Sequence, residues 1–120
     1  MKNNYILSAA WIDGYSKRAA RIDTKGGRKY IRSYNTLVGF VDRNGKLHRF
    51  WDGYSATTLK HINLIYPDGI NKKEWLSLKI EKMDDNAKAI NEWFNDNVGT
   101  CIFKYNLYGN DYYNGFEKAY

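Results

Sequence analysis

The positions of hydrophobic residues predict strands in the first half of the chain and helices in most of the second half. Residues 4–12 form an apolar run typical of a buried strand, and Asp13-Gly14 is a hairpin signal that returns the chain along residues 15–22. A short helix that starts at Ser16 is an alternative for the return segment. The pattern therefore predicts one buried strand here and leaves its neighbour open between strand and helix.

The longest β-type run, residues 28–42, follows a predicted turn at residues 24–27. Successive side chains of a strand point to opposite faces of a sheet, so the first half of this run has two different sides. Residues 36–41 are apolar on both sides, which predicts a central position in the sheet. In the first half, one side carries Arg28, Tyr30, Arg32 and Tyr34, and the other carries Lys29, Ile31 and Ser33.

A second hairpin is predicted where Gly45 interrupts the apolar pattern. A type I turn over residues 42–46, with Gly45 in the left-handed conformation of a bulge, brings the chain back antiparallel. Each pair of residues that this register sets opposite each other is apolar, which favours it over a two-residue Asn-Gly turn. The three pairs are Val41 with Leu47, Val38 with Phe50, and Leu37 with Trp51.

Two helices are predicted after the sheet. Ser55 or Thr57 caps the first helix, and the Pro-Asp-Gly sequence at residues 67–69 ends it. Asp84 or Asp85 caps the second helix, where a negative charge suits the positive end of the helix dipole, and Gly99 ends it. The apolar stripes contain Leu59, Ile62 and Tyr66 in the first helix and Ala87, Ile90, Phe94 and Val98 in the second.

The segment between these helices, residues 70–83, has apolar spacing that fits both a strand and a helix. Asn71 and Glu74 have the spacing of a capping box, which favours a helical turn to about Ser77 and then a strand to Met83. The whole pattern predicts an α+β fold, an antiparallel β-meander with two α-helices packed on one face.

Composition fits a single domain over residues 1–120. The chain has 43% hydrophobic residues and one proline, which excludes a disordered chain. Its one cysteine, Cys101, cannot form an intrachain disulfide and lies on the apolar side of a predicted last strand, residues 101–107. The apolar run near the N-terminus is too short to span a bilayer and no cleavage site follows it, so we expect a cytosolic protein without membrane contact.

Positive charge is concentrated in one segment. The formal net charge is +6, but residues 1–60 carry +8 and residues 61–120 carry −2. Residues 17–32 alone carry +6. All six arginines precede residue 50, and their planar groups suit phosphates, carboxylates and base stacking. A solvated strand face that binds nothing is the simpler explanation of the same charges.

The alternation of arginine and tyrosine in this segment predicts a binding surface. Cationic side chains would contact phosphates or an acidic partner, and tyrosine rings would stack on bases. A tyrosine-rich strand face packed beneath a helix, with arginine stems that reach outward, is the alternative. The predicted surface consists of Lys17, Arg18, Arg21, Lys25, Arg28, Lys29, Tyr30, Arg32 and Tyr34.

No residue pattern predicts catalysis, so we expect a non-enzymatic protein with no cofactor. The Gly26-Gly27 pair lacks the lysine and hydroxyl positions of a phosphate-binding loop. A small zinc-binding protein is an alternative because histidine, cysteine and carboxylate ligands suit zinc, although their spacing matches no known pattern. The ligands of that alternative would be His48, His61, Cys101 and Asp52.

Two motifs resemble a small domain family. They are S-Y-x-T-x-V at residues 33–38 and G-Y-S-x-T-T-x-K-H-I-N at residues 53–63. The pair is similar to a domain, uncharacterised in function, that bacteriophages and low-GC bacteria carry, and the similarity covers residues 33–65. The motifs name no chemistry by themselves, because Ser55 and Thr57 suit helix caps and Tyr54 suits packing.

The resemblance implies a phage protein, and small phage domains without catalytic motifs often inhibit host defence. We therefore expect an anti-CRISPR-type inhibitor that binds a host-defence protein or ribonucleoprotein, a CRISPR effector nuclease, in the host cell cytoplasm. The basic segment argues against mimicry of DNA, which requires an acidic surface. Direct binding of single-stranded or structured RNA or DNA is the alternative, and the sequence leaves the oligomeric state open.

Overall fold

The fold is seen in a computed structural model that describes residues 6–12 and 18–97. Five strands form one antiparallel sheet in chain order, with each strand beside the next. They are β1 (Ile6–Trp11), β2 (Ala19–Thr24), β3 (Lys29–Ser33), β4 (Thr36–Val41) and β5 (Leu47–Arg49). The helices are α1 (Ala56–Ile65), α2 (Lys72–Ser77) and α3 (Asp85–Asn97). The α+β fold and the antiparallel meander are therefore confirmed.

β2 decides the open question of the return segment, because residues 19–24 pair with β1 as a strand and do not form the alternative helix. The predicted hairpin at Asp13-Gly14 lies outside the described residues. The end of the second predicted helix, from Val98 onward, and the predicted last strand with Cys101 also lie outside them.

The predicted run over residues 28–42 is two strands, not one. β3 and β4 are joined by the two-residue turn Tyr34-Asn35, in which Tyr34 has a φ of 54°. Tight hairpins of this kind need left-handed backbone, for which asparagine and glycine are the usual residues. The hydrophobic pattern did not predict this turn, because tyrosine is not one of the residues that signal a left-handed backbone.

A bulge in β4 determines which side chains share a face. The pairing register shifts between Ile31 and Arg32, so β4 contains one residue more than β3 over the same stretch. As a result Leu37 and Phe40, three residues apart, belong to the same core cluster, whereas Val38 belongs to the other. Simple alternation along the strand does not predict this arrangement.

Helices cover both faces of the sheet, which corrects the prediction of two helices on one face. The apolar side chains on both sides of β3 and β4 require a cover on each face, and Tyr30 and Ile31, neighbours in sequence, are both fully buried. α3 packs on one face through Ala87, Ile90, Trp93 and Phe94. On the other face, α1 and α2 contribute Ile62, Ile65 and Trp75.

The turn after β4 forms as predicted. The N–H of Gly45 donates to the carbonyl of Asp42 at 2.9 Å, and Gly45 has a φ of 87°. Val41 pairs with Leu47, which confirms the first of the three predicted pairs. The other two do not form as predicted, because Leu37 and Phe50 pack in one core cluster and Val38 and Trp51 pack in the other.

The predicted helix caps also form. Ser55 accepts a hydrogen bond from the N–H of Thr58 and caps α1. Asn71 and Glu74 form the capping box of α2, which ends at Ser77 as predicted. The carboxylate of Asp84 accepts from the N–H of Ala87 at 2.8 Å at the start of α3. Because each cap depends on residues within three positions, local sequence was sufficient to predict it.

The predicted strand from about Ser77 to Met83 is wrong. In this segment only Ile80 makes a β-bridge, with Arg49, and the N–H of Glu81 donates to the carbonyl of Arg49 at 2.7 Å. Leu76 and Ile80 are about half exposed, so the alternation there does not correspond to a buried face. The segment instead crosses from one face of the sheet to the other.

Arg49 joins β5, the loop that follows it and α2. Its side chain is 3% exposed, and the guanidinium lies over the ring of Trp75 at 4.8 Å. It donates to the carbonyl of Trp51 at 2.7 Å and to that of Trp75 at 3.1 Å, with longer contacts to the carbonyls of Gly53, Leu76 and Leu78. The last carbonyls of a helix lack partners within the helix, and Arg49 supplies donors to them.

We expect Arg49→Met to lower the free energy of unfolding by about 3 kcal/mol, because several buried carbonyls would lose their donor. Arg49→Lys keeps the charge but not the planar guanidinium, so its free energy of unfolding should lie between those of Arg49→Met and the parent. Urea unfolding followed by tryptophan fluorescence measures both. Arg43→Met, in an exposed turn, is the control and should change stability by less than about 0.5 kcal/mol; equal losses at positions 43 and 49 would contradict this role.

Candidate functional site

The nine residues of the predicted basic surface do not form one exposed face. Tyr30 is 0% exposed and Arg32 is 4% exposed, which removes both from the surface. Lys17 lies outside the described residues. Of the others, Arg18, Lys25 and Tyr34 are exposed, and Arg21, Arg28 and Lys29 are half-buried. The prediction of a continuous arginine and tyrosine face is therefore corrected, and the alternative of a strand face beneath a helix is the one that forms.

α3 covers this face, and Arg32 of β3 binds it there. The guanidinium of Arg32 lies 4.4 Å from the ring centre of Phe94. It donates to the side-chain oxygens of Asn91 at 3.1 Å and Asn95 at 2.6 Å, which lie one helical turn apart. Burial lowers the pKa of Arg32. Arg32 thus joins the sheet to the helix.

Arg28, the residue before β3, makes a second link, to the start of α3. It lies over the ring of Phe40 at 4.3 Å and donates to the carboxylate of Asp84 at 2.7 Å and to the hydroxyl of Tyr30 at 2.9 Å. Burial acts to lower the pKa of Arg28, but these hydrogen bonds outweigh it and raise the pKa. Likewise, burial acts to raise the pKa of Asp84, and hydrogen bonds from Ala87 and Arg28 outweigh it and lower the pKa.

His48 lies between two carboxylates and stacks on Phe40. The ring centres are 4.3 Å apart with an interplanar angle of 6°. Nε2 is 2.8 Å from Asp42 and Nδ1 is 2.7 Å from Glu81, and both nitrogens can donate at once only in the imidazolium form. The hydrogen bond from His48 lowers the pKa of Asp42, and the N–H of Lys46 adds to this effect.

The two histidines lie on opposite faces of the sheet, so they do not share the zinc site considered from the sequence, whose Cys101 lies outside the described residues. His48 stacks on Phe40 in the core beneath α3, whereas His61 lies on α1 and contacts Ser33. Among residues 6–12 and 18–97, no three histidine, cysteine or acidic side chains are grouped so that they could hold a metal ion.

Several basic residues lie together at one end of the sheet. In an antiparallel meander, the β2–β3 turn and the β4–β5 turn lie at the same end. The two turns touch, because a Cβ at Gly27 would lie 2.8 Å from the Cβ of Arg43. Four cations, which we call the cationic end, lie in or beside these turns: Lys25, Lys29, Arg43 and Lys46.

The acidic residues near this end are already paired with other groups. Asp23 accepts from Arg21 at 2.9 Å, Asp84 accepts from Arg28 and Asp42 accepts from His48. In the described part of the chain, no ion pair involves the four side chains of the cationic end. Their charge is therefore available to a partner.

The two sequence motifs meet around one pocket, which we call the motif pocket. Its volume is about 300 Å³. It lies at the β3–β4 turn, at the opposite end of the sheet from the cationic end. Its lining consists of Ser33, Tyr34, Thr36 and Val38 from the first motif, Tyr54, Ser55 and Thr58 from the second, and Trp51 between them.

A buried hydrogen-bond network joins the two motifs beside this pocket. The hydroxyl of Ser33 is 2.8 Å from the hydroxyl of Thr58 and 2.9 Å from Nδ1 of His61. All three side chains are buried, so the network connects β3 to α1. The hydroxyl of Ser33 has two neighbours inside the protein, which suits a structural link between sheet and helix.

The chain is thus a small α+β domain in which two separated motifs build one pocket. The match of residues 12–82 identifies it as a member of DUF8033, a family of unknown function. This match spans β2 to α2, so it includes the motif pocket and the cationic end but not α3. No curated protein and no solved structure shows significant similarity to the chain.

Sequence reasoning missed some residues of these two sites. Arg43 and Lys46 lie outside the basic segment in sequence. They come close to Lys25 only because the β2–β3 and β4–β5 turns lie at the same end of the sheet. Trp51 lines the pocket although it belongs to neither motif. The signal available in the sequence was the pair of motifs itself, at residues 33–38 and 53–63, which together supply seven of the eight lining residues.

No helix of the described residues is long and apolar enough to cross a bilayer.

We expect Asp84→Asn to destabilise the protein at neutral pH but not in acid. Asparagine keeps the helix cap and removes the charge that faces Arg28. Because the folded-state pKa of Asp84 lies below its unfolded value, its contribution is present above about pH 4 and is lost as the pH falls through the folded-state pKa. The loss at pH 7 should be about 0.5 kcal/mol, since the pair is partly exposed and screened.

Urea unfolding of the variant and the parent at several pH values between 7 and 3 measures this difference. Asp85→Asn removes one charge from the next residue and is the matched control. A difference between Asp84→Asn and the parent that stays constant down to pH 3 would show that the Arg28 pair does not depend on the charge of Asp84.

Proposed function

We propose that this protein is a non-enzymatic binding protein whose cationic end contacts the phosphate groups of a nucleic acid. The observation that carries the proposal is the group of four cations without ion pairs among the described residues: Lys25, Lys29, Arg43 and Lys46. Phosphate contacts made by lysine and arginine provide most of the affinity of such binding.

The arrangement of the arginines favours nucleic-acid binding at the cationic end over binding at the β3 face, because the arginines near that face are engaged within the protein. Arg28, Arg32 and Arg49 are engaged with side chains or carbonyls inside the fold. Lys25, Arg43 and Lys46 are exposed, and Lys29 is half-buried beside them. Two adjacent turns carry these charges at one end of the sheet, which fits contacts with a phosphate backbone.

The fuller proposal is that the nucleic acid belongs to a host-defence nucleoprotein. The motifs at residues 33–65 resemble a domain of phages, and a phage protein that contacts the guide RNA or target DNA of a CRISPR effector nuclease would inhibit it without catalysis. A basic end can bind such RNA or DNA directly, whereas a mimic of DNA needs an acidic surface.

The first test is binding of fluorescent single-stranded RNA, single-stranded DNA and duplex DNA, followed by anisotropy at several salt concentrations. Four phosphate contacts predict a log-log salt slope of about −3 for single strands. Lys25→Glu combined with Lys46→Glu should weaken binding by about tenfold or more and make the slope shallower by about 1.4.

The matched control is Lys60→Glu combined with Lys73→Glu, which reverses two exposed charges on α1 and α2. It changes the net charge by the same amount and should alter binding much less. Equal losses for the two double variants would reduce the effect to overall charge, and no binding of any of the three probes would overturn the proposal.

The nucleoprotein hypothesis has its own test. Protein immobilised as bait should retain a host-defence nuclease from lysate, and digestion of RNA and DNA in that lysate should release it. Inhibition of target cleavage by the parent, and loss of inhibition in the Lys25 and Lys46 double variant, is the expected result. Retention that survives complete digestion would mean that the contact is with protein.

A further inference from the structure

We propose that the motif pocket binds a single uncharged nucleobase, which stacks against its aromatic side chains. This site is separate from the cationic end and does not depend on it, since the two lie at opposite ends of the sheet. The inference rests on three properties of the pocket: a strained tyrosine at its edge, walls that are already fixed, and a lining without charge.

The strained residue is Tyr34. Its φ of 54° makes it the one non-glycine residue with left-handed backbone among the described residues. Asparagine or glycine would adopt this turn with less strain, so the tyrosine side chain has a use that the turn does not explain. That side chain is 45% exposed, lines the pocket and lies with its ring centre 5.8 Å from that of His61. An exposed ring held at the rim of a pocket is a stacking surface.

The remaining walls are held in place by contacts outside the pocket. Gly53 packs against the indole of Trp51 so closely that a Cβ would overlap it. The carbonyl of Gly53 accepts from Nε1 of Trp75 at 2.9 Å, which fixes the loop. The ring of Tyr54 lies 4.9 Å from the ammonium of Lys72.

The floor is held equally well, because Ser33 and Thr58 belong to the buried network with His61. A pocket with fixed walls loses little conformational freedom when a ligand enters.

The lining determines the class of ligand. None of its eight residues carries a charge, which disfavours a phosphate or carboxylate inside the pocket. It contains three aromatic rings for stacking and six hydroxyl groups. Those of Ser33, Ser55 and Thr58 take part in hydrogen bonds within the protein, and those of Tyr34, Thr36 and Tyr54 can donate or accept a hydrogen bond. The lining has no amide or carboxylate side chain, so it lacks the paired acceptors that would hold the many hydroxyl groups of a sugar. A volume of about 300 Å³ is at the lower limit for ligand pockets and fits one flat heteroaromatic group.

A nucleobase can reach this pocket as a free nucleoside or as one unstacked base of a single strand. The test therefore starts with the four common ribonucleosides, which carry no phosphate, and follows tryptophan fluorescence of the full chain. We expect at least one of them to saturate the protein with a dissociation constant of about 0.1 mM. Methyl glucoside is tested in parallel. A single-stranded oligonucleotide is then compared with an abasic strand of equal length; tighter binding of the strand with bases assigns the pocket to nucleic acid, and equal binding assigns it to free nucleosides.

The deciding variant is Tyr34→Asn. It should unfold at the same or a higher urea concentration than the parent, because asparagine favours the left-handed turn, yet bind the nucleoside at least about tenfold more weakly. Tyr34→Phe keeps the ring and should bind within about threefold of the parent. The Lys25 and Lys46 double variant should bind nucleosides like the parent, so this proposal can fail or succeed independently of the proposed function.

Three results would overturn the inference. The first is the absence of saturation by any nucleoside up to about 10 mM, and the second is saturation by methyl glucoside in their place. The third is parent-like nucleoside binding by Tyr34→Asn, which would remove the exposed ring from the site.

Discussion

The buried guanidinium of Arg49 is the interaction on which the second half of the fold depends. It replaces the carboxylate that usually accompanies a buried arginine with backbone carbonyls from the loop after β5 and from the end of α2. A buried cation that bonds only to carbonyls is stable when its donors are fully used, because any unused donor would have lost water without compensation. This requirement places α2 and the loop at residues 51–53 together. The same loop carries Trp51 and Gly53, so the position of one wall of the motif pocket follows from Arg49.

Two other arginines repeat this use on the opposite face. Arg28 and Arg32 each place the guanidinium over an aromatic ring. Arg28 donates to Asp84 at the start of α3, and Arg32 donates to Asn91 and Asn95 within it. Two of the seven cations in residues 17–32 are in this way structural. Net charge describes a surface only when buried charges are left out of the sum. Here the arginine of β3 is buried, and exposed cations lie in the turns at one end of the sheet.

Much of the fold could be predicted from the sequence because its determinants are local. Gly45 in its turn, the capping box at Asn71 and the Asp84 cap each depend on groups within three or four residues. The candidate sites were less predictable. The Tyr34 turn contradicts residue preference, and the bulge at Val38 breaks the alternation from which a face would be inferred. Local preference fails at such positions because tertiary contacts there outweigh the cost of an unfavourable backbone.

The sequence by itself determined the α+β class, the hairpin signals, the caps and the two motifs, since each is encoded by spacing along the chain. The tertiary structure alone decided that helices cover both faces, that Tyr30 and Arg32 are buried, and that residues 33–38 and 53–63 line one pocket. The physical reason is that exposure depends on what covers a residue. A strand such as β3 carries its own alternation, but the helix that lies on each of its faces comes from 20 or more residues further along the chain.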